Sequence, residues 1–180
     1  MSPLSSSSWV GAVVFAGAVA LVAVSGFGVG CGTSAAPTMS TPTCAGPGCA
    51  CSGSSCGCDG GASCNVQCAA GTLGCAASCN GVTDCNVSCG DSCNVKCTSG
   101  GTCNTTCGAG CIYDCSSSQL CKVNAGEGAQ IDCTSSKQCD VACTGKCTVN
   151  CTSVDTCNVG CAGGLAPTVC GNKKVCGSGC

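Results

Sequence analysis

Cysteine is the residue that could do the most chemistry in this chain, supplying 29 of its 180 residues. A thiol can cross-link, ligate a soft metal or act as a nucleophile. Little else in the inventory supports catalysis: there is no His, all six cations are Lys, and the eight acids are scattered. General acid-base and nucleophilic mechanisms need such groups gathered in one constellation. Asp132, Asp140 and Asp155 fall instead on separate outward or loop positions and read as solvated surface charge. The chain is therefore expected to be no enzyme and to carry no cofactor. Thiols at this density would be kept reduced in a cytosol, so their number argues for disulfides and an oxidising compartment.

Metal sequestration is the sharper rival. Metallothioneins are also rich in cysteine and poor in aromatics, but their clusters depend on dense Cys-x-Cys and other short spacings. Here Cys-x-Cys occurs only at Cys49/Cys51 and Cys56/Cys58, and Cys-x2-Cys does not occur at all. Together with the expected oxidising compartment, this predicts no metal site. A net charge of −2 excludes a nucleic-acid binder built on phosphate neutralisation.

The elements that position these cysteines cannot rest on an ordinary core. After residue 30 the large aliphatics are 11 Val, 2 Ile and 3 Leu, 16 of 150 residues. That is below the roughly 20% at which a chain with nothing else to bind it stays disordered. Sulfur cross-links must take over.

The N-terminal segment is of a different kind. Residues 9–24, WVGAVVFAGAVALVAV, form an uncharged apolar run of the length of a signal-peptide h-region and short for a membrane span. It ends in the small-residue stretch Ser25 to Cys31. With Val29, Gly30 and Cys31 this segment resembles a bacterial lipoprotein signal, although Gly28 stands where that family usually has Leu and Met1 to Ser8 carry no Lys or Arg. The resemblance implies cleavage before Cys31, a diacylglyceryl thioether on its sulfur, and a membrane partner reached through that lipid. It also leaves an even 28 cysteines to pair. Residues 1–30 are then the signal, 31–48 a lipidated Cys and flexible Ser/Thr/Pro tether, and 49–180 the cysteine-rich domain. The expected location is the cell envelope or outer surface, with simple secretion as the alternative.

From Cys85 the cysteines recur at spacings of 4, 4, 4 and 6, a period of 18. Eighteen residues would also make about five helical turns, but Asn, Val, Ser, Thr and Gly, mediocre to poor helix formers, fill the intervals. In an extended chain Cys-x-Val-x-Cys puts Cys, Val and Cys on one face and polar residues on the other. The expected fold is all-β: a small disulfide-laddered β-solenoid with two short strands per 18-residue coil, seven coils from Cys49 to Cys180. The alternative is an irregular cysteine-rich fold with little regular structure.

Within the coil that starts at Cys121 the second and third cysteines are lost together, to Ala125 and Ala129. A jointly lost pair is most simply a bonded pair. Nested bridges follow, first to fourth and second to third: Cys85 with Cys97, Cys89 with Cys93, Cys103 with Cys115, Cys107 with Cys111, Cys121 with Cys133, Cys139 with Cys151 and Cys143 with Cys147. Cys49 with Cys58 and Cys51 with Cys56 nest in the same way, while Cys44 and Cys180 lack obvious partners. Pairing between neighbouring coils is the main rival scheme.

In architecture alone the repeat resembles the disulfide-bonded β-solenoid antifreeze proteins of beetles. Those expose regular Thr-x-Thr ladders, whereas the outward pairs here run Asn86/Ser88, Asn104/Thr106, Lys122/Asn124, Asp140/Ala142 and Asn158/Gly160. Such a face suits weak adhesion, and a protein or polysaccharide partner is left open. The expected function is a non-enzymatic exported structural or interaction module, a lipid-anchored lipoprotein. A thiolate metal protein and a carbohydrate- or ice-facing binder are the alternatives.

Overall fold

A computed structural model describes residues 41–68, 73–177 and 179–180. The signal segment, Cys31 and the start of the tether lie outside the described residues. The strands are β1 (Thr43–Ala45), β2 (Cys49–Ser52), β3 (Ser55–Asp59), β4 (Ser63–Gln67), β5 (Ala76–Asn80), β6 (Asp84–Ser88), β7 (Asn94–Thr98) and β8 (Thr102–Cys107). They continue with β9 (Ile112–Ser116), β10 (Leu120–Ala125), β11 (Ala129–Asp132), β12 (Gln138–Cys143), β13 (Cys147–Asn150), β14 (Thr156–Gly160), β15 (Thr168–Cys170) and β16 (Lys173–Cys176). One 3-10 turn, Ala162–Gly164, precedes β15.

The chain is a β-solenoid, as the 18-residue period predicts. Even-numbered strands β4 to β14 stack in parallel as one sheet, and odd-numbered strands β3 to β13 stack in parallel as the other. Each sheet thus has six parallel strands, which makes six coils rather than seven. The difference lies at the ends. β2 folds back on β3 as an antiparallel hairpin, β16 returns antiparallel to β13 and β15 to β16, and β1 runs antiparallel along β4. These pieces cover β3, β4 and β13, whose open backbone would otherwise invite pairing with another chain, while β14 stays at a sheet edge. The segment expected to be a tether up to residue 48 therefore already contributes a strand at Thr43–Ala45.

Register follows from the alternating pattern. Cys85 stands over Cys103, Cys121, Cys139 and Cys157, and Val87 over Thr105, Val123, Val141 and Val159. A slip of one residue would turn every Cys and Val to solvent, so the buried face holds the stack in place. The core is a thin seam of buried Cys, Val, Ala and Ile.

Two turns carry the chain between sheets. The tight one keeps its third residue at positive φ, as in Ser92 (56°), Gly110 (66°) and Gly128 (76°). The longer corner has a serine at positive φ in four successive coils, Ser99, Ser117, Ser135 and Ser153. At the tight turns the coils approach so closely that a Cβ on Gly126 would overlap the Gly108 carbonyl.

One coil departs from the aliphatic seam. Where its neighbours carry Val87 and Val95 or Val123 and Ile131, it carries Thr105 and Tyr113, both buried. The Tyr113 hydroxyl faces Thr105, and burial raises its pKa. A small polar residue opposite a large ring keeps the volume of the layer nearly constant. Truncating the ring should leave a void that the flanking disulfides prevent from collapsing. Tyr113→Ala is expected to cost about 3–5 kcal/mol in non-reducing denaturant unfolding. The double variant Thr105→Val/Tyr113→Val, which restores the neighbouring coils' pair, should recover most of that loss.

Candidate functional site

Three groupings bear on function: the bridged sulfurs, a set of unbridged thiols, and the outward face of the even-numbered strands.

One column of bridges runs between coils. The fourth cysteine of a coil bonds the first of the next, in the pairs Cys79 with Cys85, Cys97 with Cys103, Cys115 with Cys121, Cys133 with Cys139 and Cys151 with Cys157. This differs from the nested expectation, in which Cys97 pairs Cys85, Cys115 pairs Cys103, Cys133 pairs Cys121 and Cys151 pairs Cys139. The reason is geometric. The two sulfur columns face each other across the thin seam, so each sulfur has one neighbour in its own coil and another six residues along the chain. Cys85 and Cys97 leave their sulfurs 3.6 Å apart, and Cys64 and Cys79 leave theirs 3.4 Å apart. The joint loss at Ala125 and Ala129 informs only on the second and third positions. Each bridge that closes a six-residue corner should contribute about 2 kcal/mol in the chain-entropy model.

Second-to-third pairs are bonded where Cys68 meets Cys75 and where Cys143 meets Cys147. At the C-terminal end Cys161 bonds Cys176, and Cys180 bonds Cys170. At the N-terminal end Cys51 bonds Cys56, while the Cys58 sulfur has both Cys49 and Cys64 at bonding distance. A sulfur forms one such bond, and the pairing with Cys64 continues the coil-to-coil column.

Among the described residues, Cys44, Cys89, Cys93, Cys107 and Cys111 carry no bridge, and Cys49 has none where Cys58 bonds Cys64. Nesting predicts bonds between Cys89 and Cys93 and between Cys107 and Cys111; the structure instead holds all four as thiols. They occupy the second and third positions of two successive coils and sit together on the tight-turn side. Cys89, Cys93 and Cys111 bring their sulfurs within 4.8 Å of one another. Cys107 is the neighbour of Cys89 one coil on, since it follows Thr106 as Cys89 follows Ser88 in the paired strands. The hydrogen bond accepted from Cys89 outweighs burial and lowers the Cys107 thiol to about 7. Donation to Cys107, then burial, raises Cys89. Burial raises Cys93 and, with donation to Cys107, pushes Cys111 up to about 12. Sequence reasoning missed this group because its spacing is the same as in every other full coil.

The outward face carries an amide ladder. Asn86 donates to Asn65 at 3.1 Å and Asn104 donates to Asn86 at 3.1 Å, one bond per coil step. Further along, Asn158 donates to Asp140 at 2.8 Å. Strand register dictates these contacts, since the residues are direct vertical neighbours. The acids Asp132, Asp140 and Asp155 are not brought together. Asp132, on the odd-numbered sheet, accepts from Thr134 and from its strand neighbour Asn150, and Asp140, on the even-numbered sheet, accepts from Gln138.

No protein-family model, curated protein or solved structure matches this chain.

The pairing scheme has a direct consequence for proteolysis. Cleavage in denaturant after Lys96 and Lys122 makes a fragment 97–122 that contains both partners of Cys97 with Cys103 and of Cys115 with Cys121. With free thiols alkylated and no reductant, trypsin is expected to release this fragment, as seen by mass spectrometry. Nested pairing would keep it tied to Cys85 and Cys133.

Proposed function

We propose that this chain is a non-enzymatic exported module, tethered to a membrane through Cys31, which presents a rigid polar surface at the cell envelope. The observation that carries the interaction role is the hydrogen-bonded row Asn65, Asn86 and Asn104 on a disulfide-stapled sheet. An exposed polar row fixed by backbone register offers recognition groups at one strand spacing, about 4.8 Å, with little side-chain freedom left to lose on binding. The abundance of disulfides marks an oxidising, exported environment. The lipid is supported by the apolar run ending in Val29, Gly30 and Cys31; two acyl chains on one sulfur would hold a soluble head at a bilayer, whereas one chain binds only marginally. The non-enzymatic reading is supported by the lack of His and Arg and by the dispersal of the acids.

Fractionation of cells that make the full chain tests the tether. The wild type is expected in the membrane fraction with an acylated Cys31. Cys31→Ser should be unacylated and soluble yet keep its non-reducing mobility. An unmodified, soluble wild type would sink the anchored reading.

The amide ladder favours an extended polysaccharide as the contact, because a row of donors and acceptors at a fixed spacing suits a polymer of hydroxyls. Replacing Asn86 and Asn104 together by Ala removes about two hydrogen bonds near 1 kcal/mol each. Retention on insoluble envelope polysaccharide should weaken at least about tenfold. Equal retention of variant and wild type would exclude this face as the contact.

A further inference from the structure

The four thiols at the tight turns form an isolated quartet. On one side the next coil offers the bonded pair Cys68 and Cys75, whose sulfurs are already used. On the other side the equivalent positions are Ala125 and Ala129, both buried, so a floor of methyl groups closes the group. Cys93, Cys107 and Cys111 are buried and Cys89 is half-buried. The Gly90 carbonyl lies 3.4 Å from the sulfurs of both Cys93 and Cys111, so it draws the third-position thiols of two coils to one point.

This is the arrangement a closed structural metal site uses. Tetrahedral zinc binds thiolates at about 2.3 Å, which places ligand sulfurs roughly 3.8 Å apart. The sulfurs of Cys89, Cys93 and Cys111 already lie within 4.8 Å of one another, and strand register places Cys107 beside Cys89 one coil on. Two Cys-x3-Cys pairs also fall within the spacing that zinc sites use for ligand pairs. Spacing alone does not select them, since every full coil repeats it. What selects them is that two adjacent coils both keep unbridged sulfur here, between a spent disulfide and an alanine floor.

We propose that Cys89, Cys93, Cys107 and Cys111 form a tetrathiolate site for one soft divalent cation, of which zinc is the type. Binding converts four thiols to four thiolates around one cation and releases four protons, with no electron transferred. The site would clip two successive coils at the tight turns, as the disulfides clip them at the corners. It is a single closed structural site, unlike the multi-ion thiolate clusters whose spacing the sequence lacks.

The test uses the exported full-length product, purified without reductant or chelator and then exposed to zinc or cobalt. One equivalent of zinc per chain is expected, with four thiols that become alkylatable only in denaturant with chelator. Cobalt should give the intense thiolate charge-transfer and tetrahedral ligand-field bands of a four-sulfur site. The double variant Cys89→Ala/Cys93→Ala, which copies the alanine pair one coil beyond the quartet, should lose the equivalent of metal and the bands. The cobalt spectrum of the unaltered protein decides the matter even if that variant fails to fold. A chain in which none of these four thiols is alkylatable, Cys89 being bonded to Cys93 and Cys107 to Cys111, overturns the proposal. So does a chain whose thiols are free but which takes up neither ion.

Discussion

The span of a disulfide governs this structure. The rungs that cross the seam hold their Cα atoms 6.1 to 6.4 Å apart, whereas sheets packed through ordinary side chains sit about 10 Å apart. Two sheets at the shorter distance leave a layer one side chain thick. Only Cys, Val, Ala and a few larger residues fit it, which explains why the chain can fold with so few aliphatics. The same thinness explains why most polar strand positions face outward, with Thr105 the exception in the seam, and why recognition must take place on the outer faces.

That constraint also shapes the ends. A parallel stack held by short bridges would grow without limit if its terminal strands stayed open. Three of the four terminal strands meet a reversed segment instead, and only β14 stays at an edge. The hairpin of β2 and β3 is fastened by the bridge of Cys51 to Cys56, and the return of β16 and β15 by those of Cys161 to Cys176 and Cys170 to Cys180. The caps use the same sulfur chemistry as the coils but close on themselves.

Much of this is legible in the sequence. The period of 18 and the Cys-x-Val-x-Cys alternation predict two strands per coil and assign Val87, Val95 and their equivalents to the seam, where the structure has them. Other features are not legible. The choice between bonding Cys97 to Cys85 or to Cys103 turns on which of two neighbouring sulfurs lies closer, a matter of fractions of a coil rise that spacing does not encode. The antiparallel caps are hidden because β1, β2, β15 and β16 lie where the period breaks, and a broken period does not say which way the chain turns. The thiol quartet is hidden for the opposite reason, since its spacing is wholly regular.

Substitutions in this fold act by layers rather than by residues. Ala125 faces Ala129 in one coil and Thr105 faces Tyr113 in another, so a change on one sheet is met by a change on the other within the same turn. A layer one side chain thick has no further layer behind it in which to absorb a misfit, and close packing makes even a methylene felt. The backbone obeys the same rule: Gly126 stacks on Gly108 because neither turn can move away while its coil is bonded to its neighbours. Each coil is thus free to vary only as a matched pair. That is how a single chain can carry bridged, alanine-lined and thiol-lined versions of one repeat without breaking the stack.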